Sequence, residues 1–402
     1  MTEIRLNTVS EIFSGYAFST EDMKDYGIPI LKIGNINPDG TLLLTSDSKY
    51  PNEVTKKIEK YYLQPTDYLI CMTGATIGKI GRSTSIKANN FLVNQRVGII
   101  RPYNTVNYDY LYYILSLKDF RKYIEIVGSG AAQANISAKD IGKFRLSCTT
   151  DTKEQTKIAE ILKKYDVLME TNTKRIEILE RFSENLYNEW FIRFRFPGHN
   201  NSQFEFQNPK GWMLSTCEAK MRRPFGWRYD ELINIAEFKR GKNITAAEMI
   251  EGDIPVISAG LNPSGYHNEA NVFGKNITVS SSGANAGYLS YHLSDIWAAD
   301  CSYYQCDTNL WFVYNALKFL QPVISNMQVG SAQPHVYAKT INRLSTIIPP
   351  NELIELYCEK VNPIYEQIRL LTLANENLVK QRDALLPRLM SGKLNLEGKE
   401  IV

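Results

Sequence analysis

The run Gly74-Ala75-Thr76-Ile77-Gly78-Lys79-Ile80 has the outline of a phosphate-binding loop, in which backbone amides cradle a phosphate and a lysine reaches it. It is one residue short before Gly-Lys, and Ile80 stands where a magnesium-binding hydroxyl is required. Gly128-Ser129-Gly130-Ala131-Ala132-Gln133 fails the dinucleotide fingerprint at its last position and sits in no evident βαβ unit. The four histidines, His199, His267, His292 and His335, include no pair at metal-ligand spacing. Cys301 and Cys306 lack the tight pairs of a zinc site, so buried free thiols are expected there. Pro349-Pro350 is followed by Asn351 and preceded by no Asp or Asn, so the (Asp/Asn)-Pro-Pro-aromatic motif of amino-methyltransferases is absent. No paired-carboxylate-and-lysine nuclease set is found. A chain of 402 residues without a catalytic set is expected to be a recognition or assembly component, non-catalytic and with no metal and no cofactor of its own.

The side chains that do group suit groove reading. Arg and Lys reach guanine edges and phosphates, and Asn and Gln reach adenine. Lys32, Asn35, Lys79, Arg82, Gln95 and Arg96 cluster near Gly-rich loops in the first part of the chain. Arg240, Lys242, Asn243, Asn285, His335 and Lys339 do so in the second. Each taken alone also reads as a solvated charge or a turn amide. Residues 1–150 carry 18 Lys+Arg against 14 Asp+Glu, and Lys210, Lys220, Arg222, Arg223 and Arg228 face only Glu218 between 210 and 228. The whole chain has 46 Lys+Arg against 43 Asp+Glu, a net charge of +3. That excludes binding of nucleic acid by bulk charge, which needs many neutralised phosphates. Hydrophobic residues at 44% and charged residues at 22% are ordinary globular composition. The N-terminus has no apolar run of signal-peptide type and no stretch reaches about 18 apolar residues, so a cytoplasmic chain without membrane association is expected. Six scattered cysteines fit reduced thiols.

The elements that would hold these groups occur twice. Gly15, Met23 and Pro29-Ile30 recur 226 residues later as Gly241, Met249 and Pro255-Val256. Thr73-Gly74-Ala75-Thr76-Ile77-Gly78 recurs 209 later as Ser282-Gly283-Ala284-Asn285-Ala286-Gly287. Gln133, Ile136, Ala138-Lys139 and Ile141 recur 200 later as Gln333, Val336, Ala338-Lys339 and Ile341. The landmarks stay collinear, which indicates a duplication with a longer first copy. The shared loops suit either tight strand turns or partner docking by Gln133, Lys139, Gln333 and Lys339, since readers of different sequences would differ where they touch bases. Short apolar runs, Gly turns and aromatics in both copies predict an α+β fold with curved mixed sheet.

A long helical pattern follows each copy, over 153–192 and about 351–391. Forty residues make a rod of ~60 Å. Thr152 with Gln155 has the form of a capping box, and Pro363 predicts a kink or late start in the second helix. Leu162, Tyr165, Met169, Asn172, Ile176, Leu179, Ser183 and Leu186 follow a heptad seam, as do Val361, Ile364, Ile368, Leu371, Asn375, Leu378, Arg382 and Leu385. A pseudo-twofold relation makes the pair an antiparallel coiled coil. Setting Asn172 against Asn375 as the register device brings Tyr165 to Arg382 and Ser183 to Ile364. The boundaries expected are 1–150, a first domain; 151–196, the first long helix; 197–349, a second domain; and 350–402, the second long helix and tail.

Two variable domains, each followed by a long helix, resemble the specificity (S) subunit of type I restriction-modification systems. Gln381-Arg382-Asp383-Ala384-Leu385-Leu386-Pro387-Arg388-Leu389-Met390-Ser391-Gly392-Lys393-Leu394 is similar to that family's C-terminal signature. Gly128-Ser129-Gly130, Asn135-Ile136-Ser137, Glu154-Gln155 and Ile158-Ala159 are similar to its junction between target recognition domain and helix. Pro334-His335-Val336-Tyr337 departs from the family's Pro-Asn-Ile-Ser. The resemblance implies that each target recognition domain reads half of a bipartite, non-palindromic site in double-stranded DNA. It implies that the helices set the gap and dock two methylation subunits, which hold S-adenosylmethionine, with restriction subunits joining through them. Two other readings stay open on the residues alone: a coiled-coil scaffold that never touches DNA, and the recognition component of another phage-defence methylation system.

Overall fold

The computed structural model describes residues 2–37, 40–83, 90–128, 134–207, 221–327 and 335–394. The chain forms two compact units, Met1–Glu170 with Asn375–Val402, and Thr171–Ala374. Each unit thus takes in one mixed domain together with part of both long helices.

In the first unit, Tyr68–Cys71 shows why an unbroken apolar run forms a strand. Alternate side chains leave a strand on opposite faces. Tyr68 and Ile70 pack with Tyr110, Leu111, Phe120 and Ile124 of the covering helices Tyr108–Leu115 and Lys118–Gly128. Leu69 and Cys71 enter a second cluster with Leu31, Val93 and Ile99. Both faces are covered, so both are apolar. The strand lies in a four-stranded antiparallel sheet in the order Ser10–Ser14, Val97–Pro102, Tyr68–Cys71, Ile80–Arg82. A three-stranded sheet joins Lys49–Tyr50, Ile28–Leu31 and Leu92–Val93, the last two parallel. Thr2–Arg5 pairs antiparallel with Arg145–Cys148.

The second unit repeats this plan. Arg228–Glu231 pairs with Ser345–Ile348. Lys239–Arg240, Cys301–Gln305, Asn276–Ser280 and Leu289–His292 form the four-stranded sheet. Gly265–His267, Ile254–Ile257 and Trp297–Ala298 form the three-stranded one, again with one parallel pair. Helices Leu310–Phe319 and Gln321–Asn326 occupy the covering positions. A further strand pair, Phe204–Gln207 with Met221–Pro224, precedes this plan. Cys301 is buried as expected, whereas Cys306 is only half-buried.

Gly15 and Gly241 are repeated because backbone crowds them. A Cβ at Gly15 would lie 2.4 Å from the carbonyl oxygens of Val93 and Asn94, and one at Gly241 2.3 Å from that of Ala299. Backbone cannot yield as a flexible side chain does. Gly15→Ala or Gly241→Ala is expected to destabilise its unit by about 1–3 kcal/mol, read by chemical denaturation.

The long helices span Thr152–Tyr187, continued by a π-helical turn Asn188–Ile192, and Asn351–Met390. The cap of the first is Asp151, whose carboxylate accepts the Lys153 amide at 2.9 Å. Gln155 instead bridges the Asn107 amide (2.8 Å) and the Thr149 carbonyl (2.8 Å), tying the helix to its domain. The second helix has no late start, since it begins at Asn351 and continues through Pro363. Within the first unit the helices run antiparallel: Arg382 reaches Asp166 at 2.9 Å, and Asn375 donates to the Met169 carbonyl at 3.4 Å. Within the second unit they do so too, with Ser183 on Tyr365 at 3.3 Å and Tyr187 against Tyr357 at a ring separation of 6.2 Å. Arg382 and Ser183 therefore bond one residue beyond Tyr165 and Ile364, the partners expected for them. Asn172 is buried.

Candidate nucleic-acid interface

The two repeated loops meet in each unit. Gly74 and Gly283 adopt φ of 80° and 74°, conformations open to glycine, and start short 3-10 turns at Gly74–Thr76 and Gly283–Asn285. Thr73 bridges to Asn135 and Ser282 to His335. The Ile136 amide donates to the Met72 carbonyl and the Val336 amide to that of Ser281, both at 3.0 Å. The loops therefore close one strand turn onto the next in both copies. Gln133, Gln333, Lys210 and Lys220 lie outside the described residues. Lys139 and Lys339 are exposed on the short helices Ala138–Gly142 and Ala338–Asn342.

Several candidate readers are engaged within the fold. Asn35 is buried, accepts the Lys32 amide at 2.8 Å and donates to the carbonyls of Leu43 and Thr45 at 2.9 and 2.6 Å. The Lys32 ammonium lies 2.6 Å from the Ser48 hydroxyl, and that of Lys79 2.8 Å from the Ile36 carbonyl. Arg82 pairs with Asp109 at 3.4 Å and Asp166 at 3.8 Å, above the Tyr112 ring. Asn285 reaches the Ala259 carbonyl at 3.5 Å, and His335 stacks on Tyr337. Asn35 and Arg82 in particular hold the fold together and present little outward.

The others are on the surface. Gln95 and Arg96 form the exposed turn between Leu92–Val93 and Val97–Pro102, anchored by the Gln95 amide on the Tyr16 carbonyl at 2.9 Å. Beside it stand cations that the charge reading passed over: Lys57 lies 5.9 Å from the Tyr16 ring centre, and Lys60 5.2 Å from that of Phe13. The run Lys56-Lys57-Ile58-Glu59-Lys60 was the available signal, with Ile58 the buried anchor. In the second unit Arg240, Lys242 and Asn243 are exposed, and Lys242 lies 5.8 Å from the Trp297 ring centre. The Lys242 carbonyl accepts the Trp297 indole N–H at 2.8 Å. The scaffold positions correspond and their chemistry does not. Tyr16 after one crowded glycine answers to Lys242 after the other, and the turn Gln95-Arg96 answers to Ala299-Asp300. Exposed cations beside aromatic rings suit phosphate and base contacts.

Among the described residues no group of His, Cys, Asp and Glu is placed to hold a metal ion, and no helix is long and apolar enough to cross a membrane. Residues 1–181 and 224–378 match the type I restriction modification DNA specificity domain family. The type I restriction enzyme MjaIX specificity subunit of Methanocaldococcus jannaschii is 26% identical over 353 residues, covering 83% of this chain and 79% of that protein. A putative type I specificity subunit of Mycoplasma genitalium is 22% identical over 306 residues, or 73% and 75% of the two chains. The crystal structure of a type I restriction-modification S subunit from M. genitalium shares the fold, with a TM-score of 0.54 over 97% of this chain and 96% of that one at 18% identity. With the family match running through both copies of the mixed domain and into both long helices, this chain belongs to the type I restriction modification DNA specificity family.

Proposed function

We propose that this chain is the DNA sequence-recognition subunit of a type I restriction-modification complex and makes or breaks no covalent bond itself. The observation that carries this is one scaffold built twice with unlike exposed loops. Two unlike readers on equivalent frames recognise a bipartite, non-palindromic site in double-stranded DNA. The first reader uses Gln95, Arg96, Lys57 and Lys60; the second uses Arg240, Lys242 and Asn243. The methyl donor S-adenosylmethionine belongs to two partner methylation subunits, through which restriction subunits join. The complex works in the cytoplasm, where its DNA is.

Purified chain combined with its methylation subunits is expected to retard duplexes carrying the methylated motif and to resist random-sequence competitor. Retardation equally sensitive to both competitors contradicts sequence reading. Gln95→Ala with Arg96→Ala should lower affinity by about 1–3 kcal/mol, relax preference in one half-site only and leave the melting temperature unchanged.

The long helices also carry a surface for the partners. In the second unit Ile178 and Phe182 are 59% and 57% exposed one helical turn apart, and Leu370 is 48% exposed. Glu180, Tyr187 and Tyr365 instead pack against this unit's own domain. An apolar strip left clear of the domain suits a methylation subunit. Phe182→Glu should weaken copurification of that subunit at least tenfold while half-site preference is kept, because a buried uncompensated charge opposes docking.

A further inference from the structure

The joint between each domain and the helix pair is built at corresponding positions from opposite chemistries. In the first unit it is ionic. Lys163 reaches Asp109 at 2.7 Å, Tyr113 donates to Asp166 at 2.6 Å, and Arg382 crosses from the other helix to Asp166 at 2.9 Å. Arg82 adds 3.4 and 3.8 Å contacts to Asp109 and Asp166. In the second unit it is neutral between the corresponding groups. The Trp311 indole donates to Asn362 at 3.0 Å, Asn315 donates to Tyr365 at 3.4 Å, and Ser183 crosses from the other helix to Tyr365 at 3.3 Å. Tyr291 stands where Arg82 does and donates to the Glu180 carboxylate of the first long helix, with no cation between them among the described residues, and Trp311 stacks on Tyr365 at 3.4 Å.

The correspondence is set by sequence position. Asn107 and Asn309 immediately precede the two covering helices, so Asp109 answers to Trp311 and Tyr113 to Asn315. The long helices begin at Thr152 and Asn351, so Lys163 answers to Asn362, Asp166 to Tyr365, and Ser183 to Arg382. In the sheets Arg82 opposes Tyr68 as Tyr291 opposes Ile277, at the same place in each repeat. Six equivalent positions thus hold Arg, Asp, Tyr, Lys, Asp and Arg in one unit, and Tyr, Trp, Asn, Asn, Tyr and Ser in the other.

We infer that these joints are a matching code that assigns each domain to its own segment of the helix pair: the ionic joint accepts a domain presenting Arg82, Asp109 and Tyr113, and the neutral joint one presenting Tyr291, Trp311 and Asn315. A domain on the wrong joint leaves charge without its partner. Asp166 would face Asn315 and Tyr291 in place of Tyr113 and Arg82, and Asp109 would face Asn362 in place of Lys163. Uncompensated charge at a half-buried joint opposes docking more strongly than the correct pairing favours it. The code explains how a duplicated chain with two similar docking places folds one way only. The inference concerns assembly of this chain and stands apart from what its loops bind.

A compensation test in the full chain decides it. Lys163→Asn, Asp166→Tyr and Arg382→Ser convert the helix side of the ionic joint to the neutral set. Arg82→Tyr, Asp109→Trp and Tyr113→Asn convert the domain side. Amide exchange in Tyr108–Leu115 is expected to rise about tenfold in either triple variant and to return to within about twofold of the parent when all six changes are combined. Six changes protecting no better than three, or triples that exchange like the parent, overturn the code. Should a triple variant not fold, the parent chain supplies the second readout. Raising salt should speed exchange in Tyr108–Leu115 more than in Leu310–Phe319, because only the first joint pairs opposite charges. An equal response in both helices overturns it as well.

Discussion

Seven residues inserted into each long helix, between Glu170 and Thr171 and between Ala374 and Asn375, are expected to lengthen the gap between half-sites and leave both half-sites as they were. These points are the boundaries of the compact units, so the contacts within each unit are kept. Seven residues preserve the heptad seam and add about 10 Å of helix, close to three base pairs of duplex. Methylation mapping in cells carrying the altered chain should show the original half-sites with about three more base pairs between them, and loss of the parental motif. Five-residue insertions turn the apolar seam by about 140° away from its partner and should abolish methylation without any new spacing. A lengthened chain that still methylates at the parental gap contradicts the spacer role.

Arg101→Ala is expected to cost the first unit about 3–5 kcal/mol, because it leaves a buried carboxylate without its partner. Asp67 has no exposed surface, and its two oxygens take Nε and Nη2 of Arg101 at 2.8 Å each. Arg101 also donates to the Tyr62 carbonyl at 3.1 Å and covers the Phe13 ring. Burial pushes the Asp67 carboxyl above its ordinary value, opposed by its hydrogen bonds to Arg101 and the Gln64 amide. Removing the guanidinium leaves the upward push less opposed, so the folded state holds its proton more firmly than the unfolded chain does. The deficit should therefore be greatest at neutral pH and shrink as pH falls toward the unfolded carboxylate range. Denaturant melts between pH 7 and about 4 check this. A deficit that grows toward acid contradicts the account, and Asp67→Asn on the Arg101→Ala background should recover part of the loss at neutral pH.

What could be read before the fold was known follows periodicity and repetition. The displacement between copies falls from 226 at Gly15 to 200 at Ile141, and the paired strands and helices follow that shift. Heptad spacing placed both long helices nearly to their ends, because an apolar seam is a local pattern. Side-chain fates were not local. Lys79 is satisfied by Ile36, 43 residues away, and Gln155 by Asn107, 48 away. Asn35 carries the same amide as a base reader, and only the returning chain with Leu43 and Thr45 shows that the fold consumes it. Arg382 was placed in the helix seam, but its acidic partner is Asp166 because the other helix turns that carboxylate toward it. The placement of Lys57 and Lys60 beside aromatic rings was not legible, because Tyr16 and Phe13 come from a region some forty residues earlier.

The most direct test of the central claim is a genome-wide map of methylated adenine in cells with and without this gene. One non-palindromic motif, split by a fixed gap, should be methylated only when the chain is present, and Gln95→Ala with Arg96→Ala should blur one half of that motif alone. Methylation unchanged by loss of the gene, or confined to an unbroken palindrome, would contradict recognition of DNA by two unlike domains of this chain.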